Sequence, residues 1–342
     1  MTERSERGGS HRDDRGGRGY RGGSGGGDRG YRGGSGGGRG GGGRGGDRGY
    51  RGGDRGYRDG ERGRSRRVYD DEPRDGLLAD LVGHLHALDG RSYAAYKAIV
   101  GRYRAPAGWF LHIDRVQADP YAPPTRIHVD VPTDLHGLEL LDEADLLADA
   151  DRRLAVGDFL TRELHAGFRG TALSIASPGQ EILQRSSIIV RPDEKKEGPG
   201  WVLEVRARLA LPAQGRSIQG HEASRIVGRD LVRELEEAMD LTGERGDRLV
   251  RHIAILEDHR ALTATVARNG WVSFLADGSV LPRRSGVSDE PLDGGVPLEA
   301  PDSMAATVEL PHAGTVRGTV VEAGVNVIVG GGYHGKSTLL SA

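Results

Sequence analysis

The sequence predicts a mixed α/β fold behind a disordered N-terminal tail, and three observations predict it. Residues 1–72 are dominated by arginine, glycine and tyrosine. Between residues 73 and 285, stretches of helical periodicity alternate with stretches of strand-like alternation. Residues 286–342 pass through a short hairpin and an apolar strand into a glycine-rich loop.

The tail comes first. Residues 1–67 hold 28 of the 57 glycines, and 18 Arg against 9 Asp and Glu. Their net charge is +9, and that of the remaining residues is −11. Arg-Gly-Tyr-Arg recurs around Tyr20, Tyr31, Tyr50 and Tyr57. Such a segment buries too little apolar surface to offset backbone ordering, so disorder is expected over residues 1–72. Guanidinium and tyrosine planes stack on bases, and arginine pairs with phosphate, so the composition suits loose, salt-sensitive RNA contact. It equally suits a solubilising tail, or one that folds back on its own acidic body.

Order begins near Pro73. Asp75 is placed to cap a helix carrying Leu78, Leu81, Val82 and Leu85. A second helix is predicted over residues 93–103, with Tyr96, Ile99, Val100 and Tyr103 on one face. Ile127, Val129 and Val131 alternate with His128 and Asp130 as a half-buried strand does. Residues 152–168 read as a helix, and residues 172–175 and 187–190 as strands. Residues 203–211 show the longest alternation, preceded by a hairpin loop at 193–200. Ile226, Val227, Leu231, Leu235 and Met239 stripe a helix over residues 222–240. Helices at 247–258 and 261–268 and a strand at 271–275 complete the 73–285 domain. Prolines and glycines then mark the boundary. Strands at 305–310 and 314–321 pair as a hairpin, and residues 325–329 read as a buried strand.

Residues 330–337 read Gly330, Gly331, Gly332, Tyr333, His334, Gly335, Lys336, Ser337 and fit the pattern G-x-x-x-x-G-K-[ST]. The spacing has a physical reason. Successive backbone N–H groups must wrap phosphates, and side chains at the tight turns would obstruct them. Lys336 supplies a point charge to the β- and γ-phosphates, and the Ser337 hydroxyl is suited to Mg²⁺. Thr338 continues into a helix-compatible segment. ATP and Mg²⁺ are the expected ligands, with residues 330–338 as their site.

Several runs resemble the predicted ATPases of the ABC class: residues 92–97, 114–120, 177–181, 211–216, 276–286 and 327–340. The resemblance spans residues 76–342 and leaves out the tail. It implies a family-specific N-terminal α/β domain joined to the start of an ABC-like P-loop core, a soluble ATPase that is not a transporter, and a homodimer. ABC loops usually carry glycine where this one has Tyr333. They stack adenine on an aromatic residue, yet none lies between Phe274 and Tyr333, leaving His312 or Met304 as weak substitutes. By the same resemblance the Walker B acid and the signature motif belong beyond Ala342. The chain is therefore expected to be the front part of a longer protein and inactive alone, and its catalytic residues are unknown.

Other features narrow the field. No cysteine is present, so disulfides and thiolate sites are excluded. No run approaches the roughly 18 apolar residues of a membrane span, and no secretory signal is seen, so a cytoplasmic chain is expected. His84, His86, His112, His128 and His136 read as surface or packing residues, because no carboxylate–histidine pattern recurs. Arg216, Arg283 and Arg284 suit either phosphate contact or salt bridges. Two alternatives to an ATPase stay open: an RNA-binding module with a non-hydrolysing nucleotide site, and a P-loop kinase of small molecules.

Overall fold

Apolar side chains at every second position turn residues 125–132 and 201–209 into paired strands, and a large sheet assembles around that pair. The computed structural model describes residues 74–194, 196, 200–286, 288, 290–332 and 335–341, all within one compact unit. The tail expected at residues 1–72 lies outside the described residues, as do Tyr333 and His334.

In chain order the elements begin with β1 (Arg74–Leu77), α1 (Leu78–Ala87), β2 (Gly101–Arg104), β3 (Phe110–Arg115) and β4 (Thr125–Pro132). Next come α2 (Glu139–Glu143), α3 (Ala150–Gly167), β5 (Leu173–Ser174), β6 (Ile188–Pro192) and β7 (Trp201–Leu209). After them come β8 (Ala213–Gln214), β9 (Ser217–Ile218), α4 (Gly220–Arg225), α5 (Leu231–Met239) and α6 (Glu244–Arg268). The last are β10 (Trp271–Ala276), β11 (Ala305–Leu310), β12 (Gly314–Glu322) and α7 (Lys336–Ser341).

Seven strands form the main sheet in the order β1-β2-β3-β4-β7-β5, with β6 also paired to β7. β1 is parallel to β2, and every other pairing is antiparallel. Ile127, Val129, Val131, Leu203, Val205 and Leu209 face a core shared with Leu81 and Leu85 of α1, Leu160 and Leu164 of α3, and Leu231 and Leu235 of α5. Each fully buried leucine contributes on the order of 2 kcal/mol. A one-residue slip of β7 would turn its apolar set outward, so the alternation fixes the register. The opposite face carries Arg126, His128 and Asp130 of β4 beside Arg208, Arg206 and Glu204 of β7.

Several expected elements take a different form. Asp75 does not cap α1, because the chain is still extended as β1 there. Asp80 instead accepts the Leu77 N–H at 3.0 Å from inside the first turn. The helix expected over residues 93–103 is a 3₁₀ segment, Tyr93–Ile99, that gives way to β2. Its register is held by the Tyr96 hydroxyl donating to the Pro212 carbonyl at 2.8 Å. Gly101 then brings β2 so close to β1 that a Cβ there would stand 2.3 Å from the Arg74 carbonyl oxygen.

The helix expected at 222–240 is one run, α4 and α5 joined through a π-helical turn, Ile226–Asp230, and its five-residue apolar stripe is buried. It crosses α1 at Gly220, where a Cβ would meet the Leu85 carbonyl oxygen at 2.3 Å. Asp89 caps its first turn by accepting the Gly220 N–H at 2.6 Å. The two helices expected at 247–258 and 261–268 are the single 25-residue helix α6. No glycine or proline lies between Asp247 and Arg268, so nothing interrupts it.

A second sheet, β10-β12-β11, contains the expected hairpin. Strand β10 pairs with β12 from Trp271 to Ala276, so this sheet draws on residues both before and after position 286. The hairpin turn sits on α6, with the His312 and Ala313 N–H groups donating to the Asp258 carboxylate at 2.8 and 2.9 Å. The buried strand expected at residues 325–329 is not formed: Val325, Val327 and Val329 are exposed. Apolar character alone makes no strand. A strand needs neighbours for its N–H and C=O groups, and this segment has none among the described residues.

Candidate functional site

The glycine-rich loop is positioned by the helix on its C-terminal side. Gly335 takes φ 75°, a left-handed conformation open to glycine at little cost, and α7 starts at the next residue. Its carbonyl accepts the Leu339 N–H at 2.9 Å, the first turn of that helix. Lys336 therefore projects from a helix start, and its ammonium folds back across the loop to donate to the Gly331 carbonyl. Ser337 is exposed beside it, and Thr338 is half-buried.

Where a Cβ would stand at Gly332 and Gly335 no atom lies within 4 Å, so the space next to the loop is open. An ammonium, an exposed hydroxyl and glycine main chain at a helix start are the donor set that a polyphosphate and its divalent cation require. The residues fit that ligand.

The family described as ATPase of the ABC class, N-terminal, matches residues 78–241, and its P-loop domain matches residues 245–342. The chain belongs to the ABC-class ATPases. Together the two matches run from α1 to the end of α7 and leave out only residues 242–244, where α5 turns into α6. A search of curated proteins finds no match. Membership gives the chain the P-loop domain of a nucleotide-binding ATPase family, and among the described residues no helix is long and apolar enough to cross a membrane.

The two substitutes for an adenine-stacking aromatic are already engaged or peripheral. His312 bonds to Glu257 through its ring and to Asp258 through its backbone. Met304 is about half exposed in a short 3₁₀ turn before β11. Arg284 is held by Glu290 at 2.5 Å and by Asp293 at 3.2 Å, the salt-bridge alternative. Arg283 donates instead to the neutral Val280 carbonyl at 2.9 Å and Gln180 at 2.7 Å. Arg216 is exposed, and its carbonyl accepts the Tyr93 N–H.

Two sets of groups were invisible in the linear sequence. His112 and His128 face each other across β3 and β4, their rings stacked 4.1 Å apart and 10° from parallel. Asp130 joins them within 4.8 Å, a carboxylate–histidine group assembled from two strands. Burial pushes the Asp130 carboxyl up, but His112 and Arg191 outweigh it and hold it down to about 2. With the rings stacked, their in-plane lone pairs run nearly parallel instead of converging, and Asp130 already accepts from Arg191 at 2.8 Å. Stacking and the Arg191 ion pair thus leave the three groups arranged as packing and not as a convergent ligand set.

The second set surrounds Asp158, a carboxylate with no exposed surface in the middle of α3. It accepts from Arg162 at 2.7 Å and from His252 at 3.1 Å, and it contacts Arg185. This cluster joins α3, the loop before β6, and α6.

Proposed function

We propose that Gly330, Gly331, Gly332, Tyr333, His334, Gly335, Lys336, Ser337 and Thr338 hold ATP, with Ser337 as the Mg²⁺ ligand, and that the chain serves a cytoplasmic, homodimeric ATPase. The observation that carries this reading is the Lys336 side chain lying over a glycine loop at a helix start, in a chain of the ABC class. When bound, Mg²⁺ neutralises charge on the phosphate oxygens. The chain's own contribution is positional. Lys336 leaves the Gly331 carbonyl for a phosphate oxygen, and the glycines keep the approach free of side chains.

Calorimetric titration with Mg·ATP tests it, with sedimentation velocity on the same samples. Wild-type protein is expected to bind and to shift toward dimer. Lys336→Ala is expected to bind at least tenfold more weakly. Equal affinity with and without the lysine rejects the site.

A second reading, that the ATPase works with RNA, rests on the Arg-Gly-Tyr repeats of residues 1–72. Deleting them is expected to remove most binding to a single-stranded RNA oligonucleotide and most of its salt dependence. Binding that survives the deletion at full strength rejects this role for the tail.

A further inference from the structure

Like charges opposed across neighbouring strands destabilise a sheet unless something neutralises them. Arg126 of β4 lies directly opposite Arg208 of β7, and the next pair on the same face is His128 opposite Arg206. On its other side Arg208 is opposed by Ser174 of β5, which carries no charge.

The acids of this face are already engaged. Glu204 accepts from Arg191 and Arg206, Asp130 from Arg191, and Asp114 from the His128 ring at 2.8 Å. Arg126 and Arg208 have no ion-pair partner among the described residues. Composition does not force this. Beyond the tail the chain carries a net charge of −11, so acidic side chains are plentiful, yet none of them pairs with Arg126 or Arg208 among the described residues.

The face is concave at this point. A cavity of about 540 Å³ opens over β4 and β7, walled by Ser174 of β5 and by the loops that carry Ser177 and Ser186, with Asp114 at its rim. Two guanidinium forks, a third from Arg206 and several hydroxyls make a dense set of donors, which suits the three terminal oxygens of a phosphate monoester. The volume is that of an ordinary small-ligand site, and a patch of two unpaired guanidiniums matches one compact phosphate group better than an extended run of phosphodiesters.

We propose that this cavity binds the phosphate group of a small phosphomonoester, through Arg126 and Arg208, at a site separate from the glycine loop. It rests on the sheet alone and stands whether or not the loop binds ATP.

The test uses the Lys336→Ala chain, so that phosphate binding at the loop does not contribute. Ribose 5-phosphate, inorganic phosphate and a 12-nucleotide single-stranded RNA are titrated calorimetrically at constant ionic strength. Ribose 5-phosphate is expected to bind, and Arg126→Gln/Arg208→Gln to weaken it at least tenfold. The unfolding midpoint of that variant is expected to be unchanged or raised, because an unfavourable charge pair has been removed. If the double variant fails to fold, exposed Ser177→Asp, which puts a negative charge on the cavity wall, is expected to give the same loss. The proposal is overturned if ribose 5-phosphate does not bind, or if it binds these variants as tightly as the parent. It is also overturned if only the RNA binds in an arginine-dependent way, which makes the face a phosphodiester surface. Binding of inorganic phosphate with no preference for the ribose ester overturns it as well, as an adventitious ion only.

Discussion

Asp158→Ala is expected to destabilise the fold by about 3–5 kcal/mol, because it removes the common acceptor of a buried charge cluster. The carboxylate has no exposed surface, and Arg162 and Arg185 keep only 28% and 14% of theirs. Burial pushes both guanidinium pKa values down, so both groups already carry a desolvation cost that the carboxylate offsets. Taking it away leaves two cations in the interior between α3, α6 and the loop before β6, and leaves the Leu183 N–H, now 3.4 Å from Asp158, without that acceptor. Asp158→Asn keeps the shape and one acceptor oxygen but loses the charge, so an intermediate loss is expected. Urea unfolding, read by the midpoint at constant slope, measures both. A loss below about 1 kcal/mol for the alanine variant would show that water reaches the arginines.

The same cluster predicts an acid-sensitive fold. Burial, reinforced by the charge of Arg162, pushes His252 down to about 4 from its ordinary 6.5. Asp158 does not reverse this, because its charge is already shared with two arginines and its bond from His252 at 3.1 Å is satisfied by a neutral imidazole N–H. The unfolded chain therefore takes up a proton near 6.5 that the folded chain resists until about 4. Stability is full above 6.5 and falls as the pH drops through that window, by roughly 3 kcal/mol in all. His252→Gln keeps an N–H donor without a titrating group, so its stability is expected to stay nearly flat between pH 6.5 and 4. Asp130 acts lower down: a carboxyl depressed from 3.8 to about 2 gives its stability up only below the His252 window. Urea midpoints at pH 7 and pH 4.5 separate the two. Equal acid sensitivity in wild type and His252→Gln would remove His252 as the cause.

Much of this fold is legible where local pattern and tertiary demand agree. Strands β4 and β7, the loop between β6 and β7, the hairpin of β11 and β12, and the stripe from Ile226 to Met239 all arise from periodicity and turn residues. The departures have separate physical causes. Residues 93–99 carry helical spacing, but hydrogen bonds of the tyrosines to a distant segment and the tight contact at Gly101 select a 3₁₀ turn and a strand. Residues 325–329 look like a strand and are not one, since pairing depends on neighbours that composition does not reveal. The glycine loop was legible because its chemistry is contiguous. The arginine pair of the outer sheet face and the Asp158 cluster were not, because each is brought together by cross-strand register or helix packing between residues as far as 94 positions apart.

Helix α6 has a mechanical consequence. Leu249, Ile253 and Leu256 seat it in the core of the large sheet. At the helix's midpoint Glu257 grips Arg152 of α3 at 2.9 Å and His312 of the hairpin, and Asp258 holds the hairpin turn. Twenty-five residues make an unbroken rod of about 37 Å. The hairpin and α3 are thus bolted to adjacent residues of one stiff beam, which gives them a common mount.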